Sequence, residues 1–460
     1  MENRVENLCR FKHKKNVLYI MQRDHRIYDN HSLIFAYNMS VMHKSQFYIG
    51  IELTKIKRNK LQDTFMTEGL LEMHKDCEKL NYNIFILNSL SKFKFKFDID
   101  CIVTEFSPLR EYIEFQNEIK TFCEENQVAF YICDSHNIVP AKILDKYVKT
   151  PKAVKIRLNK ESKKYVNEIE NVGKHLYNTS MEICDSYTPF NLMQKPQYKN
   201  YTKFKGGYRH GMNEFNFFLR EKLKNYKINR NDPMKDNISN LSPWLHFGQI
   251  SPLRLMLESL KKFEHSNENL ECWISEMFFW REIAEHFCMH TKEYDSIKGA
   301  LPWAQETLNL HKVDKRDIIY SLDALENAKT HDEQWNSGQK ELLLTGKMHG
   351  YVRMYWAKSL LKWTSSPEKA LEYAIYLNDK YSIDGNDPNG YLGVMWSICG
   401  VMDQGWAEKK IFGKIRSMNG IKSPGYVLKW KNTPLINYQK EKDGKNQFEN
   451  GTMFSYLNKK

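Results

Sequence analysis

A run of tryptophans set among acids, amides and arginines extends from Trp273-Ile-Ser-Glu276-Met-Phe-Phe-Trp280-Arg281-Glu282 to Asp384-Gly-Asn-Asp-Pro-Asn-Gly-Tyr391-Leu-Gly-Val-Met-Trp396. An indole is large, apolar and oxidisable. Several of them beside acids and amides suit a site that moves electrons or stacks on flat rings.

Glu276 and Trp280 are four residues apart, so a helix places them on one face, where an acid and an indole could hold the same planar ligand. The plainer reading is a surface acid beside a half-buried tryptophan, with Arg281 and Glu282 an exposed charge pair. Trp356 and Trp363 are seven apart, about two helical turns, on a segment that also carries Arg353 and Met354, and Trp335 precedes them. As spacing alone, this stripe reads equally as core. Ile238-Ser239-Asn240-Leu241-Ser242 offers hydroxyls and backbone amides ahead of a helix expected to begin at Ser251-Pro252, groups that suit phosphate oxygens but also serve as routine caps. Asn378, Asp379, Asp384, Asp387 and Asn389 form a polar, glycine-containing stretch that reads as a turn or a loose cation site. The 15 histidines show no HExxH pair and no GxSxG occurs, so zinc hydrolysis and acyl transfer are set aside.

The elements that must position these residues fall into two kinds. Short β-rich runs at 16–21, 47–53, 82–87, 101–106 and 128–133 alternate with helical lengths such as 63–80, which predicts a parallel sheet covered by helices. The first turn reads Gln22-Arg-Asp-His-Arg-Ile-Tyr-Asp-Asn30 rather than GxGxxG, which argues against an ordinary dinucleotide site. A lysine-rich stretch with Pro151, Pro189 and Pro196 is expected to interrupt helices and cross between domains. Beyond Phe215 apolar residues recur at helical spacing over 253–263, 272–290 and 342–363, and the end beyond Lys429 reads as partly frayed. The expected organisation is an α/β N-terminal domain over 14–150, a linker over 151–208 and a helical domain over 209–460. The fold class is thus a Rossmann-like parallel-sheet domain followed by an all-helical one.

Composition sets the outer bounds. At 460 residues, two domains are the default, and 41% hydrophobic with 27% charged residues describes a globular chain. A formal charge of +13 favours an acidic partner, nucleic acid first, although a lysine-rich solvated surface gives the same number. Nine scattered cysteines without a CxxC pair read as reduced thiols. With neither a signal-like start nor an apolar run long enough to span a bilayer, the expectation is a soluble intracellular protein.

Taken together and in order, five segments resemble the class II cyclobutane pyrimidine dimer photolyases, within the photolyase and cryptochrome family: 240–251 (NLSPWLHFGQIS), 273–288 (WISEMFFWREIAEHFC), 347–358 (KMHGYVRMYWAK), 377–401 (LNDKYSIDGNDPNGYLGVMWSICGV) and 405–419 (GWAEKKIFGKIRSMN). The N-terminal half is similar more thinly, through 23–30 and 133–140. The resemblance implies a U-shaped FAD, active when reduced, that passes an electron on illumination to a dimer flipped out of UV-damaged DNA, double- or single-stranded, splits it and recovers the electron. An antenna pigment in the first domain is left open.

Position by position, the resemblance implies that Tyr226 and Ile238, Ser239, Asn240, Leu241 and Ser242 contact the FAD phosphates. Arg281, Arg353, Asn378 and Asp384 would hold the flavin, with Asn378 beside its N5 atom. Glu276 would hydrogen-bond the dimer, Trp280 and Trp396 sandwich it, Met354 complete the floor and Arg230 add a contact. Trp356, Trp335 and Trp363 would carry electrons to the flavin. Trp406 would fill the gap left in the duplex, beside Gln404, where some relatives have arginine. A monomeric repair lyase is expected. The alternative is a blue-light photoreceptor without repair activity, against which stand Glu276, Trp280 and Trp396 and the lack of a long tail beyond the motifs.

Overall fold

The computed structural model describes residues 3–53, 58–182, 185–190, 202–264 and 266–435. Seven strands form one sheet: β1 (Val5–Cys9), β2 (Asn16–Met21), β3 (Phe47–Ile51), β4 (Asn83–Leu87), β5 (Ile99–Glu105), β6 (Ala129–Cys133) and β7 (Tyr187–Pro189). Their order is β1-β6-β5-β2-β3-β4-β7, with the central five parallel and both edges antiparallel. The five central strands are those expected from their apolar runs. Buried on both faces, they need no alternation of polar and apolar residues.

Both edge strands lie outside the expected sheet. β1 precedes residue 14 and is mostly half-buried, and β7 lies within the stretch expected to be a linker. That stretch also holds a helix, Pro151–Tyr165, in which Pro151 opens the helix instead of interrupting one: the Thr150 side chain caps it at Ala153 N, and proline at the first helical position sacrifices no hydrogen bond. Pro196 and the chain beyond 435 lie outside the described residues.

In open parallel sheets a ligand usually lies where the strand order reverses, here between the C-terminal ends of β2 and β5. The chain fills that crevice with its own carboxylate. Glu105 accepts the backbone N–H groups of Gln22, Arg23 and Asp24 and the Tyr19 hydroxyl. Burial pushes its pKa up to about 7, with the Asp24 charge adding to the rise and the donated hydrogen bonds opposing it. The missing GxGxxG and the occupied crevice agree.

The second half is helical. The segment 272–290 divides into a helix (Glu268–Ile274), a π turn (Ser275–Trp280) and a further helix (Arg281–His290). The segment 342–363 is likewise two helices, Glu333–Thr345 and Gly350–Trp363. The break falls at Gly346, whose φ of +67° is left-handed and where a Cβ would stand 2.4 Å from Leu61 Cδ2.

The two halves share a polar seam along the helix Arg281–His290. Glu285 pairs with Arg23, Arg281 donates to the His136 carbonyl (2.9 Å), Glu282 accepts the backbone N–H groups of Ile138 and Val139, and His286 accepts that of Val148 (2.9 Å). Arg281 and Glu282 are therefore buried, not an exposed charge pair. Burial pushes the Glu282 carboxyl up to about 8 against the pull of Arg281. Among the described residues no helix is long and apolar enough to cross a membrane.

Candidate cofactor cavity and tryptophan sites

One cavity in the helical half holds about 750 Å³ of empty space, part of it open to solvent. Tyr226, Ser239, Leu241 and Ser242 line one side, Glu276 and Arg281 another, and Arg353 and Asp384 a third. Five separate sequence stretches thus meet around one space. The residues before Ser242 lead into a short helix, Ser242–His246, which Pro243 starts.

The polar groups around this cavity are only partly satisfied by the protein. Arg281 Nη1 and Asp384 Oδ1 are buried without a hydrogen-bond partner. Such orphans in a cavity wall point to a missing ligand. Burial lowers the Arg281 pKa, with Glu285 opposing. Burial works against the Asp384 carboxylate, but Arg353 and Lys347 overcome it and hold it below its ordinary value.

Asn378 lies behind this lining, buried on the helix Pro367–Tyr381. It accepts from Arg353 Nη1 at 3.1 Å and donates to Asp379 at 2.9 Å. The cavity wall over it is Gly390, where a Cβ would come within 2.9 Å of Asn378 Nδ2. Only a residue without a side chain leaves that amide so close to the cavity. Ile238 and Asn240 are not among the lining residues, and Asn240 takes a left-handed φ of +58°.

His246 and Lys347 carry no role in the sequence reading, where Asp387 reads only as part of a turn or a loose cation site. His246 Nδ1 bonds Asp387 Oδ2 at 2.8 Å, and both residues line the cavity. Burial disfavours the Asp387 carboxylate, yet His246, Arg23 and Asn389 bring its pKa well below the carboxylate range. Lys347 Nζ donates to Ser242 Oγ at 2.6 Å, and burial brings its pKa down to about 8. Lys347 and His246 both stand inside the quoted motifs, so the signal was present there. Only the fold pairs them with their partners.

The tryptophans separate into two settings. Trp335 and Trp356 stack with centroids 5.9 Å apart and planes 8° apart, and Trp363 meets Trp335 edge-on at 5.8 Å. All three are buried. Trp335 Nε1 donates to the Trp356 carbonyl (2.9 Å), and Trp356 Nε1 to Gln339 Oε1 (3.0 Å). Outward from Trp363, Tyr320 and His331 lie within 5.8 and 5.4 Å.

Trp280 and Trp396 are only half-buried, each with a lysine ammonium over one ring face. Neither lines the cavity wall formed by Glu276. The Glu276 carboxylate is half-buried and pairs with Arg230 Nη1 at 2.7 Å, which joins two residues that the sequence placed in one site. Met354 is half-buried on the helix of Trp356. Gln404 and Trp406 stand on an exposed loop, where Arg416 covers the Trp406 ring at 4.7 Å. The π turn carrying Glu276 and Trp280 is a deviation found often at functional sites.

The family model described as DNA photolyase matches residues 17–170. A deoxyribodipyrimidine photo-lyase from Potorous tridactylus is 40% identical over 413 residues, covering 87% of this chain and 77% of its own length. Among solved structures, a bacterial class III photolyase from Agrobacterium tumefaciens has a TM-score of 0.69 at 16% identity, covering 96% of this chain and 94% of its own. An archaeal photolyase from Sulfolobus tokodaii, solved with two FAD molecules, has a TM-score of 0.68 at 17% identity over 94% of each chain.

Proposed function

The chain belongs to the DNA photolyase family, and from this we propose that it is a light-driven repair lyase that binds FAD and splits cyclobutane pyrimidine dimers in DNA. The observation that carries the cofactor assignment is the pair of orphaned buried atoms, Arg281 Nη1 and Asp384 Oδ1, in the wall of one cavity. One unmatched guanidinium nitrogen and one unmatched carboxylate oxygen suit a ligand that carries both acceptors and donors, as FAD does. When bound, FAD supplies light absorption and a transferable electron, while the protein supplies orientation and electrostatics.

In this reading Tyr226, the Ile238–Ser242 stretch and Lys347 hold the phosphate end. Arg281, Arg353 and Asp384 hold the flavin, and the Asn378 amide orients it from behind Gly390. Glu276 hydrogen-bonds the dimer, donating a carboxyl O–H to a carbonyl oxygen and so stabilising the charge that develops there. To do so it exchanges part of its pairing with Arg230. Trp280 and Trp396 stack against the flipped bases, and Met354 fills the floor between flavin and lesion. The sealed trio Trp356, Trp335 and Trp363 relays electrons inward from the surface.

Trp406 on its exposed loop takes the space the flipped bases leave, with Gln404 beside it as a neutral contact. Flipping costs a few kcal/mol, less at a lesion already poorly stacked. The net positive chain offsets part of that through phosphate contacts. The protein acts as a monomer.

The test is a dimer-repair assay on purified, reduced protein in light and in dark, read alongside the flavin absorption spectrum. Repair in light alone is expected. The Glu276→Ala variant should lower repair roughly 10-fold or more at unchanged flavin content. Loss of flavin instead would move Glu276 into the cofactor site, and equal dimer levels in light and dark would overturn the activity.

A further inference from the structure

Each indole assigned above to the lesion clamp has a lysine behind it. Lys155 Nζ sits 4.9 Å from the Trp280 ring centroid, and Lys358 Nζ sits 4.5 Å from that of Trp396. Each lysine is also tied to the backbone or side chain of the turn that carries its indole. Lys155 donates to Ser275 Oγ (2.9 Å) in the π turn of Trp280, and Lys358 donates to the carbonyl of Ser397 (2.9 Å), the neighbour of Trp396. The two arrangements have the same logic but come from opposite ends of the chain. Lys155 belongs to the helix Pro151–Tyr165 and Lys358 to Gly350–Trp363.

Surface lysines ordinarily extend into water. Lys358 instead is 1% exposed, and its ammonium donates to a backbone carbonyl. An ammonium in such a place is costly, and the indole face with one carbonyl is what compensates it. A cation behind a ring also withdraws negative potential from its far face, which favours stacking on rings rich in carbonyl oxygens.

We propose that Lys155 and Lys358 are positioning residues for lesion recognition, each fixing one clamp indole by one face so that the other face is preset for a flipped pyrimidine. The proposal rests on the clamp assignment of Trp280 and Trp396. Burial brings the Lys358 pKa down to about 7, opposed by Asp403 and reinforced by Arg416, with Cys399 also nearby. Lys155 is likewise lowered by burial and faces Glu276, Arg230 and Cys272. The ammonium of Lys358 is therefore lost as pH rises through about 7, and the grip on Trp396 goes with it.

The experiment measures the affinity of flavin-loaded protein for a duplex carrying one pyrimidine dimer and for the same duplex undamaged. Lys155→Met and Lys358→Met should each weaken dimer binding roughly 3- to 10-fold, leaving undamaged duplex and flavin content unchanged. Lys155→Arg and Lys358→Arg should restore it. Wild-type affinity for the dimer should fall as pH rises through about 7, and Lys358→Arg should remove that fall, because guanidinium keeps its proton. If both methionine variants bind the dimer as wild type does while Trp280→Ala and Trp396→Ala do not, the lysines are idle and the inference fails. Equal weakening on damaged and undamaged duplex also overturns it, since that is the signature of a phosphate contact. Should Trp280→Ala and Trp396→Ala leave dimer binding intact, the clamp itself is wrong. Where Lys358→Met fails to accumulate, a flat wild-type pH profile overturns the Lys358 half, and the Lys155 variants decide the other.

Discussion

The sealed trio Trp335, Trp356 and Trp363 and the half-open pair Trp280 and Trp396 use one side chain for opposite ends. The trio is buried ring against ring, with the Lys362 ammonium 5.1 Å from the Trp363 centroid, and the indole N–H groups of Trp335 and Trp356 bond inside the protein. No ligand can enter, but neighbours within 6 Å can exchange an electron. In the pair, one face of each ring is covered by a lysine and the indole is left only half-buried. Such a ring can accept a flat partner. Residue type thus says little about an indole's task, whereas the accessibility of its faces says much.

The largest expected effect separates the two groups cleanly. Trp356→Phe should cut photoreduction of oxidised flavin by roughly two orders of magnitude if the proposed relay runs through that ring. The same variant, chemically reduced beforehand, should repair dimers at near the wild-type yield. Absorbance of the oxidised flavin under blue light reads the first, and a dimer assay reads the second. If both fall together, the relay and the repair site are not distinct.

Next in size is lesion affinity. Trp280→Ala and Trp396→Ala should each weaken binding of dimer-containing duplex by about 1–3 kcal/mol, the range for loss of base stacking on an aromatic ring. Titration by fluorescence anisotropy measures this. Photoreduction in those variants should proceed as in wild type, and a loss there would blur the contrast between the groups.

Stability sharpens the comparison further. Trp335→Phe removes a buried hydrogen bond and opens a void, a cost of about 1–3 kcal/mol in urea unfolding. Trp280→Phe at its half-open position should change stability by no more than about 0.5 kcal/mol. A pH dependence adds to this. Glu282 is buried in the seam with its pKa raised to about 8, so the folded state holds a proton that the unfolded state releases near its ordinary carboxylate value. Stability should therefore decline as pH rises from that value toward about 8, and Glu282→Gln should flatten the decline in unfolding curves.

How much of this was legible beforehand differs by element. The five parallel strands were readable because burial on both faces demands continuous apolar runs. β1, with Glu6 and Asn7 among its five residues, and β7, with three residues, carry no such signal. They are placed by pairing with β6 and β4, not by their own composition. The break at Gly346 was open to inference from a lone glycine, yet the hydrophobic period runs through it. The burial of Arg281 and Glu282 was not legible, since their partners His136, Ile138 and Val139 lie more than 140 residues earlier. Ordered motifs, not periodicity, brought the cavity-lining residues together in the sequence. Why they matter to one another emerged only from distances such as Arg353 to Asn378.

The polar seam along Arg281–His290 has a consequence for how the molecule can be divided. Its charges and carbonyls are matched across the two halves, with Arg23 answering Glu285 and the chain around His136 and Ile138 answering Arg281 and Glu282. Cut at the apparent boundary, the helical half would present stranded charges on the very helix that supplies an arginine to its cavity. The α/β half is thus a built-in subunit whose docking is part of folding the helical half. A truncation to residues 209–460 should yield not a smaller enzyme but an unassembled one.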